Sequence, residues 1–251
     1  MKPYYTLADL LDEENPINAG ESVPAGLAVI GFPIATSKSP AKQQAELEAA
    51  GIKPRCIRNQ ASPEEFADVV RLIRDKGFIG ANVTVPHKQA ACALCDDTDA
   101  LSRATGSVNT LVFQKDGSIT GFNTDGPGFS RAIREEFSVA LRDLKIVLLG
   151  ACGGAGLALA YTCAMQRCER LTLAGRSEDK LRDLKNRLSS FFIDENRLEG
   201  ASDRLAAHLN NTPRFNAALE DADLIVNATA LGLKPTDPSP VSSSLFSAHH
   251  L

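Results

Sequence analysis

The chain has 251 residues, of which 43% are hydrophobic and 23% charged, and its formal net charge at neutral pH is −4. This length suffices for one large domain or two modest ones with substantial cores. A small negative net charge does not indicate the positively charged surface that binds nucleic acid or an anionic membrane, so neither partner is predicted. No apolar run approaches the roughly 18 residues of a membrane span, and the N-terminus lacks a signal-peptide core, which predicts a cytoplasmic protein.

The first strand and helix are predicted between residues 27 and 51, after a loosely held arm with one short helix in residues 1–26. Residues 27–31 form a continuous apolar run, as expected of a strand buried on both faces. Ser39 is predicted to cap the next helix, with a proline at its first position and Gly51 at its end. Capping does not explain Ser37, so the hydroxyls before this helix are candidate ligands for an anion.

The most informative stretch of the chain is Asn82 to Lys88. Its valines alternate with polar residues, which indicates a strand, and Pro86 is predicted to open the following helix. Up to about residue 95 the chain reads as three strand–helix units, which predicts a mostly parallel sheet. Ligands bind at the carboxyl ends of strands in such sheets, so Asn82, Thr84 and Lys88 are candidate site residues.

Cys92 and Cys95 have the C-x-x-C spacing of redox and zinc sites. They lie in an alanine-rich segment predicted to be helical, where residues three apart share one face. Neither a second C-x-x-C nor a histidine pair accompanies them, so buried thiols are favoured and no metal is predicted.

A β-hairpin is predicted next, with strands at residues 106–113 and 119–122 and an Asp-Gly turn between them. Asn109 lies in the first strand, and Asn123-Thr124-Asp125 follows the second, just before a predicted helix. Capping of that helix accounts for one residue of this polar group. The others are further candidate ligands.

A unit of different character begins at Lys145. An apolar strand, a glycine-rich loop and a helix predicted from Leu157 follow one another, as in dinucleotide-binding proteins. In such loops glycines let the backbone approach the pyrophosphate, which rests on the helix N-terminus. Cys152 stands where the usual pattern has its second glycine. The loop residues predicted to hold the cofactor are Gly150, Gly153, Gly154, Ala155 and Gly156.

The end of the next predicted strand, at residues 170–174, indicates which dinucleotide is bound. An NAD site usually has an acidic residue there, whereas this chain has Gly175 followed by Arg176, which favours a 2′-phosphate and hence NADP over NAD. Residues 178–222 are predicted to be mostly helical with polar loops. Residues 223–232 are predicted to form a buried strand that ends in polar groups.

Jointly these motifs resemble the shikimate dehydrogenase family. They occur in the family's order and cover roughly residues 27–235. The matching segments are Ser37 to Pro40, Asn82 to Lys88, Ser107 to Thr110, Asn123 to Gly126, the glycine loop, Gly175 to Ser177 and Asn227 to Thr229.

The resemblance implies an α/β protein with its active site in a cleft between two domains. Residues 1–125 would form a mostly parallel-sheet α/β substrate-binding domain, and residues 126–251 a Rossmann-type doubly wound dinucleotide-binding domain. The implied reaction is the NADPH-dependent reduction of 3-dehydroshikimate to shikimate in aromatic amino-acid biosynthesis. A monomer or a homodimer is expected, with the small-molecule substrate as partner.

The resemblance also assigns roles to individual residues. In the substrate site, Lys88 and Asp125 would be the catalytic pair, Ser37 and Ser39 would bind the carboxylate, and Thr84, Asn109 and Asp125 would hold ring hydroxyls. In the cofactor site, Arg176 and Ser177 would contact the 2′-phosphate, and the loop with Asn227 and Thr229 would lie near the nicotinamide.

The chain departs from the family pattern at three places. Cys152 replaces a glycine, Gly175 stands where many members have asparagine, and nothing after Asn227 matches a substrate-binding glutamine that the family carries on a closing helix. The family's C-terminal closing helices are therefore expected to be absent. Two alternatives stay open, a quinate dehydrogenase with the same chemistry and a non-catalytic relative that senses a metabolite or cofactor.

Overall fold

The computed structural model describes residues 2–14, 17–193, 203–232 and 236–251. The chain forms two compact units, Met1–Thr124 and Asp125–Leu251. Among the described residues, no helix is both long and apolar enough to cross a membrane.

The first unit is built on a six-stranded sheet with the strand order β2-β1-β3-β5-β6-β4. Strand β1 pairs in parallel with β2 and β3, and β4 with β6, whereas β5 runs antiparallel to both of its neighbours. The predicted mostly parallel α/β unit and its hairpin are confirmed. Its elements are α1 (Leu7–Leu11), β1 (Ala25–Gly31), α2 (Ser39–Ala49), β2 (Arg55–Gln60), α3 (Phe66–Asp75), β3 (Gly80–Val83), α4 (Lys88–Ala93), β4 (Asp97–Thr98), α5 (Ala100–Thr105), β5 (Thr110–Phe113) and β6 (Ile119–Phe122).

The N-terminal stretch is not the loosely held arm that its composition suggested. Tyr5 bridges to Asn59 of β2, and the side chains of Tyr5, Leu10 and Ile17 are buried in the core of the first unit. The prediction was wrong because Gly and Pro content reports local backbone preference, while burial of these three apolar side chains holds the segment in place.

Two predicted helix starts are displaced. Helix α2 begins at Ser39 rather than after it, and the Ser37 hydroxyl accepts the Ser39 N–H at 3.3 Å. The Ser37 hydroxyl, and not that of the predicted cap Ser39, therefore accepts a backbone N–H at the start of the helix. Helix α4 begins at Lys88 rather than at Pro86, because residues 84–87 first form a turn closed by a hydrogen bond from the His87 N–H to the Thr84 carbonyl.

The second unit has a four-stranded, all-parallel sheet with the order β10-β7-β8-β9. The chain leaves β7 toward β8 and β9 and then returns to the other side of β7 to form β10. This reversal is the topological switch point of a doubly wound fold, so the predicted Rossmann-type class is confirmed. Its elements are α6 (Asp125–Phe137), β7 (Lys145–Leu149), α7 (Gly154–Met165), β8 (Arg170–Gly175), α8 (Glu178–Leu188), β9 (Leu205–Leu209), α9 (Pro213–Glu220) and β10 (Leu224–Asn227).

Two predictions fail in the second unit. Helix α7 begins at Gly154, three residues before the predicted Leu157, because Gly154 and Gly156 already belong to its first turn, with the extended Gly153 as the N-cap. The segment 178–222, predicted to be mostly helical, contains the strand β9 at the edge of the sheet. Residues 194–202 of that segment lie outside the described residues.

Candidate functional site

Strand direction brings the candidate substrate residues of the first unit to one edge of its sheet. Strand β3 ends there, and Thr84 follows it. Because β5 runs antiparallel to β3 and pairs Thr110 with Asn82, Asn109, which directly precedes β5, lies beside the end of β3. Strand β6 runs back along β5, so Thr124 reaches the same edge.

Asn109 is the most firmly held side chain of this edge. Its Oδ1 accepts hydrogen bonds from the Thr110 hydroxyl at 3.0 Å, the Thr124 N–H at 3.0 Å and the Thr124 hydroxyl at 3.1 Å. The residue is 8% exposed. With Oδ1 turned toward three donors, the amide nitrogen lies on the opposite side of the side chain, and an amide nitrogen can donate two hydrogen bonds.

Asn82 uses both ends of its amide within the protein. Its Oδ1 accepts from the Gln43 amide nitrogen of α2, and its Nδ2 donates to the Thr110 hydroxyl at 3.1 Å. Asn82 therefore supports Thr110 rather than offering itself to a ligand. Sequence patterns gave no signal for Gln43 or Thr110, because their roles depend on elements that are distant in the chain.

Lys88 is the first residue of α4, and the backbone around it is fixed on both sides. Its carbonyl accepts the Val108 N–H at 2.9 Å, and the Thr84 N–H donates to the Ile30 carbonyl at 2.9 Å. These bonds connect Lys88 to the segment that carries Asn109, and Thr84 to the end of β1. The two side chains thus start from the same edge of the sheet, as predicted.

His87, which sequence patterns did not single out, anchors the start of α4. Its ring stacks on Phe66 with centroids 4.5 Å apart, and Nε2 lies 2.9 Å from the Ala61 carbonyl. Nε2 is therefore the protonated nitrogen that donates to this carbonyl. Burial lowers the pKa of His87 below its ordinary value, which favours the neutral imidazole next to Lys88.

Ser37 and Ser39 lie at the start of α2, after the end of β1. Ser37 is half-buried and Ser39 exposed. The Ser37 backbone is held by a hydrogen bond from its N–H to the Ile34 carbonyl at 3.0 Å and by one from the Arg58 Nε to its own carbonyl at 2.8 Å. A helix start with two hydroxyls can accept a carboxylate.

Asp125 is the first residue of the second unit and of α6. The two residues before it are tied to the first unit, since Thr124 donates to Asn109 and the Asn123 Nδ2 donates to the Ser107 carbonyl at 3.0 Å. The pairing of Asp125 with Lys88 stays a prediction.

The glycine loop of the second unit is shaped by close backbone contacts. A Cβ added at Gly156 would lie 2.1 Å from the Gly150 carbonyl oxygen, so only glycine allows α7 to pack this closely on the loop. Gly150 has φ of +74° and faces Ala228 after β10. A Cβ at Gly154, by contrast, would meet nothing within 4 Å. This open face at the N-terminus of a 12-residue helix fits a dinucleotide pyrophosphate.

Cys152 is compatible with this loop. Its φ is not in the left-handed region, so the conformation of the loop at this position does not by itself require glycine. Burial raises the pKa of its thiol, and a protonated thiol brings no negative charge near a pyrophosphate.

The strand ends of the second sheet carry the remaining candidates. Arg176 and Ser177 follow β8 and are exposed, and the Ser177 hydroxyl accepts the Lys180 N–H at the start of α8. Asn227 ends β10, and its Oδ1 accepts from the Thr229 N–H at 3.0 Å and the Thr229 hydroxyl at 2.6 Å. The loops after β7 and β10 flank the switch point, where ligands of doubly wound sheets bind.

The C-x-x-C cysteines have the character of protonated thiols. Burial raises the pKa of Cys92, and that of Cys95 to about 11. The Cys95 thiol donates to the Ala91 carbonyl at 3.1 Å. No group of three or more His, Cys, Asp or Glu side chains in the described parts of the chain could hold a metal ion.

The sequence and the fold are both similar to those of known proteins. Residues 29–111 match the family model of the shikimate dehydrogenase substrate binding domain. Shikimate dehydrogenase (NADP(+)) from Methanopyrus kandleri is 36% identical over 214 residues, which are 85% of this chain and 70% of that protein. The corresponding protein of Rubrobacter xylanophilus is 34% identical over 229 residues, 90% of this chain and 74% of that one.

Two solved structures extend the similarity to three dimensions. Shikimate dehydrogenase from Aquifex aeolicus superposes with a TM-score of 0.77 at 27% identity, over 92% of this chain and 78% of that one. Shikimate 5-dehydrogenase from Thermus thermophilus, in complex with NADP(H) and shikimate, gives 0.72 at 30% identity, over 89% and 75%. Because the chain is 36% and 34% identical to the proteins of Methanopyrus kandleri and Rubrobacter xylanophilus over more than two thirds of their length, it belongs to the shikimate dehydrogenase family.

Proposed function

We propose that this protein is an NADP-dependent shikimate dehydrogenase, which reduces 3-dehydroshikimate to shikimate. The observation that carries the proposal is the convergence of Ser37, Thr84, Lys88 and Asn109 at one sheet edge in a chain of this family. The curated relatives described above are shikimate dehydrogenases (NADP(+)), which favours shikimate over quinate. The first unit would bind the substrate and the second the cofactor.

The substrate side provides directional contacts for a polyhydroxylated ring acid. Ser37 and Ser39 would hold the carboxylate at the start of α2. Thr84, Asn109 and Asp125 would hold ring hydroxyls, with the fixed amide of Asn109 donating through Nδ2. Buried polar groups that need a hydroxyl partner discriminate strongly against analogues that lack it.

Lys88 would supply the proton in the reduction. As negative charge develops on the ketone oxygen, a nearby ammonium stabilises that charge and donates its proton. The Asp125 carboxylate would orient the ammonium toward this oxygen. The two roles together make Lys88 the residue on which turnover depends most.

The second unit would hold NADP with backbone groups and a few side chains. NADPH supplies the hydride when it is bound. The N–H groups of Gly154, Ala155 and Gly156 at the start of α7 would bind the pyrophosphate, with Gly150 and Gly153 shaping the loop. Arg176 and Ser177 would bind the 2′-phosphate, and the loop of Asn227 and Thr229 would lie near the nicotinamide.

A direct assay tests this proposal. The absorbance of reduced nicotinamide is followed with shikimate and NADP, and separately with NAD and with quinate. We expect turnover with shikimate and NADP that exceeds both control reactions. Cofactor binding without turnover of either ring acid would instead support a non-catalytic sensor and contradict the proposal.

A further inference from the structure

A row of hydrogen bonds crosses the first unit and ends at Asn109. The Cys56 thiol of β2 donates to the Gln43 Oε1 at 2.9 Å, and the Gln43 amide nitrogen donates to the Asn82 Oδ1. Asn82 Nδ2 donates to the Thr110 hydroxyl at 3.1 Å, which donates to the Asn109 Oδ1 at 3.0 Å. We call this row the relay.

Hydrogen-bonding chemistry gives the relay a single direction. The Cys56 thiol donates to the Gln43 oxygen at 2.9 Å, which orients this end of the amide toward Cys56, and burial keeps the thiol protonated by raising its pKa to about 11. The Gln43 amide nitrogen must then face Asn82, whose own nitrogen must face Thr110. Because a threonine hydroxyl has only one proton and already accepts from Asn82, it donates that proton to Asn109.

The direction of the relay decides what Asn109 offers to a ligand. Thr110 and Thr124 place three donors around the Asn109 Oδ1, so its nitrogen is kept on the opposite side. Gln43 is on α2, the helix that begins at the two serines, and is remote in sequence from every other member except Cys56. No ligand contact is needed for its effect, since it acts through Asn82 and Thr110.

We propose that Gln43 is a positioning residue that, together with Thr124, holds Asn109 as a hydrogen-bond donor and thereby favours a ligand with a hydroxyl or carbonyl oxygen at that position. The inference rests on the proposed function for its substrate, shikimate. The hydrogen-bond direction itself is a property of the ligand-free protein and can be measured without turnover.

Gln43→Glu is the sharpest test, because it keeps the shape of the side chain and replaces its NH2 donor by an oxygen acceptor. A carboxylate at residue 43 accepts from Cys56 and also from the Asn82 nitrogen, so Asn82 turns and presents its oxygen to Thr110. The Thr110 hydroxyl then donates to Asn82, and Asn109 loses one of its three donors. We expect kcat/KM for shikimate to fall roughly five- to tenfold, mainly through KM, with KM for NADP within about twofold of wild type.

Gln44→Glu is the matched control on the same helix. Gln44 Oε1 accepts the Cys56 N–H at 3.1 Å, which a carboxylate also accepts, and Gln44 takes no part in the relay. We expect its kinetic constants to stay within about twofold of wild type. An equal loss in both glutamate variants would mean that added charge on α2 is responsible, and would overturn the proposal.

A double variant separates positioning from a general effect on the fold. Thr110→Val removes the hydroxyl through which Gln43 acts. If the relay is correct, Gln43→Glu combined with Thr110→Val is no worse than Thr110→Val alone. Losses that multiply would show that Gln43 acts by another route.

The side-chain amide signals of 15N-labelled, ligand-free protein provide the readout that is independent of activity. Gln43→Glu should shift the signals of Asn82 and Asn109, while Gln44→Glu should leave them in place. If wild type does not turn over shikimate, the proposed function fails, but these shifts still report the relay. Unmoved signals in Gln43→Glu would overturn the relay whatever the kinetics show.

Discussion

The candidate sites of the two units differ in construction: one is formed mainly by polar side chains and the other mainly by a glycine-rich backbone. In the first unit, recognition depends on side chains that hold one another, as Thr110 and Thr124 hold Asn109. In the second, recognition depends on glycines, which have no side chain. A Cβ added at Gly156 would lie 2.1 Å from the Gly150 carbonyl oxygen, which is a collision. One site is defined by hydrogen-bond direction and the other by close backbone approach.

This difference matches what each site would have to recognise. A ring acid is distinguished from its analogues by the position of each hydroxyl, which requires side chains with fixed donors and acceptors. A pyrophosphate presents the same oxygens in every dinucleotide, so backbone N–H groups at a helix start suffice. Selectivity among dinucleotides is then left to side chains beyond the loop, such as Arg176.

The largest effect is expected for Lys88→Ala, which tests the side-chain site. Loss of a positioned proton donor typically lowers turnover by roughly 10²- to 10⁴-fold. We expect kcat to fall in this range, while NADPH binding, followed by its fluorescence, is unchanged. Lys115→Ala, in the hairpin turn at the other end of the sheet, is the control and should keep wild-type kcat. A drop of less than tenfold in Lys88→Ala would contradict the role of Lys88 as the proton donor.

Gly156→Ala tests the backbone-built site. Its Cβ would collide with backbone atoms that cannot move without displacing α7, so we expect a loss of roughly 1–3 kcal/mol in the free energy of unfolding. Denaturant titration measures this loss.

Gly154→Ala is the matched glycine substitution, since its Cβ meets no protein atom within 4 Å. We expect a stability equal to wild type or slightly higher, because alanine favours a helix over glycine, together with a raised KM for NADP. Equal destabilisation by the two alanines would show that the close contact at Gly156 is unimportant.

Arg176→Ala tests where dinucleotide selectivity lies. Removing one charge-assisted contact to the 2′-phosphate should lower kcat/KM for NADP by roughly tenfold and leave that for NAD nearly unchanged. The ratio of the two values measures the effect. An equal decrease with both cofactors would place Arg176 outside the 2′-phosphate site.

The smallest effect concerns pH and the anchor of α4. Because burial lowers the folded pKa of His87, its neutral form contributes stability above the ordinary pKa near 6.5, and this contribution is lost as pH falls through the lowered value. His87→Phe keeps an aromatic ring against Phe66 but cannot titrate or donate to Ala61.

Unfolding free energies at about pH 7.5 and about pH 5 test this expectation. We expect His87→Phe to lose about 1 kcal/mol at the higher pH and to show a shallower decrease toward the lower one. The pKa of His208 in the second unit is also lowered, by burial and by the nearby Arg214 and Lys185 charges, so part of the decrease should remain. An unchanged slope would mean that His87 does not contribute to acid sensitivity.

Sequence patterns predicted most of the elements, though not β4, α5 and β9, and most of the proposed site residues, but not how those residues are supported. The Asn82–Lys88 stretch, the Asp-Gly turn and the glycine loop are local signals, and the strands and helices they predict are present. The errors occur where local preference competes with burial, as in the N-terminal stretch, or with edge pairing, as in β9. Helix starts at Ser39, Lys88 and Gly154 each differ from prediction by one to three residues.

What the sequence determined by itself is the class of the fold, the order of most of its strands and helices along the chain, and the residue types placed at strand ends. These follow from hydrophobic period, glycine and proline, which act within a few residues. Only the tertiary structure decided that Gln43, Asn82, Thr110 and Asn109 form one row with one direction. A hydrogen bond between distant residues depends on strand register and on the rotation of each amide, and neither can be predicted from the local sequence.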